Sequence, residues 1–199
     1  MANPNKIAGF RPIKHLNGNP WNGNFNVYYK SASSNIFRGS PVILAGSADT
    51  TGKYPTIDIG GAGAPFVGVA IAFSTTPYIA ADPTNLELLY SPSGTSHYVA
   101  VVDDPQVIFE LFEETAGSAN MAATDIGMNC AIIAESGDTT TGLSTVTLDY
   151  SELAVTSTDE VKVLRMINSE DNAFGAYARF EVLINNHTYG QGLGSLGYD

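Results

Sequence analysis

Short runs of β-branched and aromatic residues, separated by clusters of Gly, Pro, Ser, Thr and Asp, fill the chain from Asn24 onward. Such runs, bounded by turn residues, are typical of β-strands. In Ser144–Tyr150 and Phe180–Ile184 apolar and polar side chains alternate, which predicts strands with one buried face. The predicted strands are Phe25–Lys30, Pro41–Ala45, Thr56–Ile59, Phe66–Phe73, Leu86–Tyr90, His97–Val102, Gln106–Phe112, Cys130–Ala134, Ser144–Tyr150, Glu160–Ile167 and Ala176–Ile184.

The run Phe66–Phe73 is apolar throughout, so we expect it to be covered on both faces at the centre of the fold. Gly68 within it predicts a close backbone approach or a bulge. Only Ser118–Ile126, followed by Gly127, has a pattern that could form two helical turns. The sequence therefore predicts a mainly β chain, a compact barrel or sandwich with at most one or two short helices.

The two ends differ from this pattern. Residues 1–24 contain three prolines, yet also carry large apolar side chains that a solvated linker would not need. We interpret them as an extended N-terminal arm whose apolar side chains require a pocket, on this chain or on another. Residues 25–188 are predicted to form a single β-rich domain, and the glycine-rich residues 189–199 a C-terminal tail.

The charge pattern narrows the possible partners. Nine basic and twenty acidic residues give a net charge of −11, which repels phosphate backbones and argues against nucleic acid as a partner. Only 15% of the residues are charged, and a weakly charged surface favours association with other proteins. The sequence lacks an apolar run long enough to span a membrane, and it begins without the pattern of a signal peptide, so we expect synthesis in a cytoplasm and no membrane partner.

The residues that carry catalysis or bind metals are few. The three histidines, His15, His97 and His187, lie outside any nucleophile motif, and the sequence contains no pair of His or Cys residues at metal-ligand spacing. Cys130 lies in an apolar run and is predicted to be a small buried side chain. We therefore predict no catalytic, cofactor-binding or metal-binding residues, although glycosidase carboxylates that meet only in the fold stay open.

Three polar or glycine-rich features have structural interpretations. The pairs Asp103–Asp104 and Glu113–Glu114 are interpreted as solvated strand ends. The glycine cluster in residues 60–65 lacks the Lys-Ser/Thr of a phosphate-binding loop and precedes a strand instead of a helix, so we interpret it as a plain loop.

Several short motifs, spread over most of the chain, resemble those of one family. They are Gly9–Pro12, Leu16–Trp21, Phe66–Ala70, Asp104–Glu110, Asp125–Gly127, Asp171–Tyr177 and Asn185–His187. In these motifs the chain resembles the decoration, or cement, proteins of tailed-phage and prophage capsids.

The resemblance implies a β-rich homotrimer on the capsid exterior, near threefold and quasi-threefold positions, that clamps neighbouring major capsid proteins. The expected partners are thus the chain itself and the major capsid protein, and the expected location is the virion. Strand addition by the arm, with Phe10 or Trp21 filling a partner's pocket, is the binding mode we expect. The predicted partner-binding residues are Ile7, Phe10, Arg11, Ile13, Leu16 and Trp21.

Other classes stay open. The chain lacks the long helix and the length expected of a major shell protein, but a tail or baseplate subunit is compatible with it. A carbohydrate-binding adhesion subunit is a further alternative, since β-sandwiches with exposed Trp and Tyr stack sugar rings. An enzyme with a site assembled from scattered residues is the last.

Overall fold

A computed structural model describes residues 3–77, 88–114, 120–134 and 137–190. The chain is mainly β, as predicted, and forms a compact, sandwich-like arrangement of sheets. The strands are β1 (Arg11–His15), β2 (Asn26–Lys30), β3 (Ile36–Phe37), β4 (Pro41–Ala48), β5 (Pro55–Ile59), β6 (Gly68–Ser74), β7 (Tyr90–Ser91), β8 (His97–Val102), β9 (Val107–Phe112), β10 (Asn129–Ile133), β11 (Thr147–Ala154), β12 (Val161–Met166) and β13 (Arg179–Ile184).

Five strands close a small barrel in the order β2-β5-β4-β6-β8. Its pairs are antiparallel except for β2 and β5, which run parallel. The barrel has its own core, which consists of Tyr28, Ile36, Val42, Ile57, Val67, Ala70, Phe73, Val99 and Val101. Because the sheet closes on itself, the barrel leaves no free strand edge at its circumference.

The second layer is a six-stranded antiparallel sheet in the order β1-β9-β13-β12-β10-β11. One face of this sheet packs on the barrel over a larger core that includes Phe109 and Phe180 from the sheet and Phe66 and Val102 from the barrel side. A two-stranded ribbon of β3 and β7 completes the set.

Strand β6 and the residues just before it lie at the centre of both cores. Phe66 and Val69 belong to the core between barrel and sheet, while Val67 and Ala70 belong to the barrel interior. The predicted covering on both faces is confirmed for these four side chains, which are fully buried, whereas Ile71 and Ala72 further along the run are half-buried. The prediction of a close approach at Gly68 is also confirmed, since a β-carbon there would collide with the carbonyl oxygen of Val102.

Two short strands and the helix differ from the predictions. Strands β1 and β3 have no counterpart among the predicted strands. Pro12 lies within β1, next to a register shift between Pro12 and Lys14. A proline is tolerated there because β1 is an edge strand of the sheet. In the described part of the predicted helix, only the 3₁₀ turn Ala123–Asp125 forms. Residues 86–87, 118–119 and 191–199, which belong to predicted elements, lie outside the described residues.

Candidate interaction surface

The N-terminal segment, residues 3–24, lies against the rest of the chain. Its strand β1 adds to the edge of the six-stranded sheet by antiparallel pairing with β9. Before β1, Gly9 crosses close to Gly39 in the turn between β3 and β4: a β-carbon on Gly9 would lie 2.5 Å from the Gly39 carbonyl oxygen. At the beginning of the segment, the Asn3 side-chain amide donates a hydrogen bond of 2.8 Å to the carbonyl oxygen of Ala173. The segment is therefore bound to this chain along most of its length.

The structure places the predicted partner-binding residues in different environments. Phe10, which was expected to fill a partner's pocket, lies instead in the chain's own core, with its ring edge-to-face on Phe109 at a centroid distance of 5.8 Å. Trp21 is half-buried against the same core, and its indole N–H donates to the Asn24 carbonyl oxygen. Of the remaining predicted partner-binding residues, Ile7 and Ile13 are half-buried. Leu16 is 54% exposed, and the Arg11 side chain is 63% exposed.

A second feature is the outer face of the six-stranded sheet, the face turned away from the barrel. In β13, Phe180 and Val182 point into the core, so Arg179 and Glu181 point outward. In β12, Val161 and Val163 are core residues, so Lys162 points outward. We call this surface the basic face and define it by the five cations Arg11, Lys14, Lys162, Arg165 and Arg179.

Ion pairs orient four of these cations, Arg11, Lys14, Arg165 and Arg179. Glu110 of β9 lies between two arginines, 3.4 Å from Arg11 and 3.6 Å from Arg179. Arg179 also pairs with Asp171. The Glu110 carboxylate is well shielded, since its side chain is 8% exposed, whereas the Asp171 side chain is 52% exposed.

A second carboxylate continues the same row across the sheet. Glu181 lies opposite Glu110 in the register of β13 and β9, and opposite Arg165 in the register of β13 and β12. It pairs with Lys14 at 2.7 Å and with Arg165 at 3.2 Å. The two adjacent carboxylates are thus paired with four cations, which lie on β1, β12 and β13.

Charge is unevenly distributed over the chain as a result. The basic face holds five of the nine basic residues, and four of them, Arg11, Lys14, Arg165 and Arg179, pair with three of the twenty acidic ones, Glu110, Asp171 and Glu181. Partial burial lowers the pKa of Lys162. This surface could not be predicted from local sequence, because its members come from strands far apart in the chain. Only the alternation of Arg179 and Glu181 with apolar residues indicated it.

A buried serine and histidine lie together inside the barrel end. Ser91 Oγ is 2.9 Å from His97 Nδ1, and beside them the Lys30 ammonium donates to the carbonyl oxygens of Pro92 and Thr95 at 2.6 and 3.1 Å. Burial, followed by the nearby Lys30 charge, lowers the pKa of His97. Ser91 and Lys30 are fully buried, and His97 is 4% exposed. We assign these residues a structural role in holding the loop between β7 and β8.

The other two histidines lie near the acidic pair. His15 Nδ1 is 3.2 Å from Asp104, and burial lowers the pKa of His187 despite the opposing effect of Asp103 and Asp104. Asp103 accepts hydrogen bonds from the Tyr28 hydroxyl at 2.7 Å and from Asn26. Within the described ranges, no group of three or more His, Cys, Asp or Glu side chains is arranged to hold a metal ion.

Two predictions about buried groups have opposite outcomes. Cys130 is buried, as predicted, and burial raises the pKa of its thiol. Glu113 was expected at a solvated strand end, but it is 1% exposed, and desolvation raises its pKa to about 7. Its Oε1 accepts a 2.7 Å hydrogen bond from the Met121 N–H.

None of the helical turns in the described ranges is long and apolar enough to cross a membrane.

In comparisons with known proteins, no family model, no curated protein and no solved structure matches the chain.

Proposed function

We propose that this chain is a decoration protein of a tailed-phage capsid, and that it binds the outside of the shell and stabilises contacts between neighbouring major capsid proteins. The motifs that resemble decoration proteins and the mainly β fold are compatible with this role. The observation that carries the proposal is the gathering of five of nine cations on one sheet face of a chain with a net charge of −11. A basic surface of this kind fits an acidic protein partner, while the net negative charge of the whole chain disfavours nucleic acid.

The cations of the basic face are oriented before any partner binds, which favours a contact that holds two shell subunits together. These cations lie on a hydrogen-bonded sheet, and their side chains are already oriented by Glu110 and Glu181. Binding to carboxylates of two adjacent shell subunits would then immobilise few additional rotamers, which lowers the entropic cost of the contact. Arg165 and Arg11 are exposed enough to contact such carboxylates in addition to Glu181 and Glu110.

Co-sedimentation with shells of the parent particle, assembled without this chain, tests the proposal. Wild-type protein is expected to sediment with the shells, and the bound fraction is expected to fall as salt rises. Arg165→Glu is expected to weaken binding at least about tenfold, since a like charge then faces the shell carboxylates. Lys53→Glu, an equal charge change at an exposed position in the loop between β4 and β5, is the matched control and is expected to bind normally. Wild-type protein that never sediments with shells would refute the decoration role.

Self-association forms a second part of the proposal. We propose a homotrimer, in accordance with the resemblance to decoration proteins. Sedimentation equilibrium of the free protein is expected to give three times the chain mass of 21.0 kDa. A stable monomer at micromolar concentration would contradict the trimer while leaving shell binding to be judged separately.

Two alternative functions, a carbohydrate-binding adhesion subunit and a tail or baseplate subunit, can be tested as well. A sugar-binding platform would use an exposed aromatic ring, whereas Trp21, the chain's single tryptophan, packs against the core. Saturable binding to a glycan array would favour the adhesion or baseplate alternative over the decoration role.

A further inference from the structure

The N-terminal segment, which was predicted to fill a pocket, builds the wall of one. Where it crosses the barrel, it encloses a groove of about 230 Å³. Ala8, Phe10 and Pro12 form one wall, and Ile71 of the barrel and Leu143 form the other. This volume is below the roughly 300 to 1,000 Å³ of ordinary small-molecule pockets. The groove therefore suits a single large apolar side chain.

Two arginines also line this apolar groove. Arg11 is mostly exposed and already shares Glu110 with Arg179. Arg38 differs: it is half-buried, and among the described residues its guanidinium has no hydrogen-bond or ion-pair partner. A guanidinium placed beside an apolar wall prefers a carboxylate partner, which it can bind through two parallel N–H donors.

Backbone hydrogen bonds hold the walls of the groove in place. The Phe10 N–H donates to Gly39 O at 3.0 Å, and the Gly39 N–H donates to Ala70 O at 2.8 Å. The Arg38 backbone is fixed on both sides, by its N–H to Gly142 O and by its carbonyl oxygen to the Ser144 N–H. A site formed in advance loses little conformational freedom on binding.

We propose that this groove receives one apolar side chain of a partner polypeptide, and that a carboxylate next to that side chain in the partner's sequence pairs with Arg38. The occupant is a segment of the shell protein, an assignment that rests on the proposed function. Charge complementarity favours such a segment, because a carboxylate can pair with the Arg38 guanidinium, which has no side-chain partner among the described residues.

A titration of the full-length chain with small peptides tests the groove without the shell. The probe is acetyl-Phe-Asp-amide, and its neutral counterpart is acetyl-Phe-Asn-amide. In ¹⁵N-resolved NMR spectra, the probe is expected to shift the amides of Gly39 and Leu143 saturably, with a Kd on the order of 1 mM. The neutral peptide is expected to bind about fivefold or more weakly, since only the charged contact is lost.

Substitutions separate the charged and apolar contributions. Arg38→Gln is expected to reduce binding of the Asp peptide to the level of the Asn peptide, whereas Lys53→Gln, an equal charge change at an exposed site in the β4–β5 loop, is expected to leave it unchanged. Ala8→Leu, which fills the groove, is expected to abolish binding of both peptides while the spectrum stays folded. No saturable shift at either amide, or equal Asp-peptide binding by Arg38→Gln and wild type, would overturn the site.

Shell co-sedimentation then tests the occupant. If wild-type protein binds shells and Arg38→Gln binds them more weakly, the shell segment is supported as occupant. If both proteins bind equally, the shell segment is refuted, while the decoration role itself survives. If wild-type protein does not bind shells, the decoration role and the shell segment both fail, and the peptide result alone decides whether the groove is a site.

Discussion

The backbone N–H of Phe10 donates a 3.0 Å hydrogen bond to the carbonyl oxygen of Gly39, and this bond joins the N-terminal segment to the turn that leads into the barrel. On one side of it the Phe10 ring enters the core between barrel and sheet, and on the other the groove opens beside Arg38. Strand β1 follows at once and pairs with β9. The segment thus contributes a core side chain, a sheet edge and a wall of the groove.

Phe10→Ala is expected to destabilise the fold by about 3 to 5 kcal/mol, because the ring is 1% exposed and its loss leaves a cavity against Phe109. Leu16→Ala is the control from the same segment and is expected to change stability by less than about 0.5 kcal/mol, since Leu16 is 54% exposed. Urea unfolding followed by circular dichroism measures both values. Equal, small effects would mean that the segment is not part of the folded core.

Gly39→Ala is expected to cost about 2 kcal/mol or more, because Gly39 has a φ of +84° and a β-carbon there would collide with the Ala8 carbonyl oxygen. Gly61→Ala is the matched control, since a β-carbon at Gly61 meets no atom within 4 Å. We expect the control to change stability by less than about 0.5 kcal/mol. Thermal unfolding compares the two, and a Gly39→Ala protein as stable as the control would contradict the close crossing.

Arg179→Met is expected to destabilise the chain by about 1 to 3 kcal/mol, because it leaves the shielded Glu110 with only the exposed Arg11 as a partner. Arg165→Met is expected to cost less than about 1 kcal/mol, since the Arg165 side chain is 64% exposed and its pair with Glu181 is screened by water. Denaturant unfolding at low and high salt measures the difference. A larger loss of stability for Arg165→Met than for Arg179→Met would contradict the assignment of Arg179 as the main partner of the shielded Glu110.

Glu113 is expected to make stability fall as the pH rises from about 4.5 to 7. Its pKa is raised from 4.5 to about 7 by desolvation, and the negative charges of Glu114 and Asp125 act in the same direction. The folded state therefore holds a proton that the unfolded state releases, so the stability gained from this group is complete below pH 4.5 and is lost through pH 7.

Glu113→Gln removes this titration and leaves an amide oxygen that can still accept from the Met121 N–H. Between pH 5 and pH 8, the stability of wild type relative to the variant is expected to fall by on the order of 1 to 3 kcal/mol. Glu152→Gln, at an exposed position, is the control and is expected to leave the pH profile unchanged. Parallel profiles for wild type and Glu113→Gln would show that Glu113 is not desolvated.

Local pattern predicted much of the fold. Strands His97–Val102 and Val107–Phe112 lie within predicted strands. They could be predicted because apolar runs bounded by Gly, Pro and Asp are typical of β-strands. The pattern failed at Arg11–His15, where Pro12 breaks it, and at Glu113, where two acids in sequence suggested solvent. Neither the edge position that tolerates Pro12 nor the burial of Glu113 is visible in neighbouring residues.

The sequence by itself determined the class of fold, the buried segment that begins at Phe66, the burial of Cys130 and the net negative charge of the chain. All of these depend on composition or on side chains within a few residues of each other. The tertiary structure alone decided that the N-terminal segment pairs with β9, that five cations share one sheet face, and that Arg38 lies beside an apolar groove with no side-chain partner among the described residues. The reason is physical: strand pairing joins residues about a hundred positions apart, and the register of that pairing, which sets every one of these neighbours, is not encoded in any short stretch of the chain.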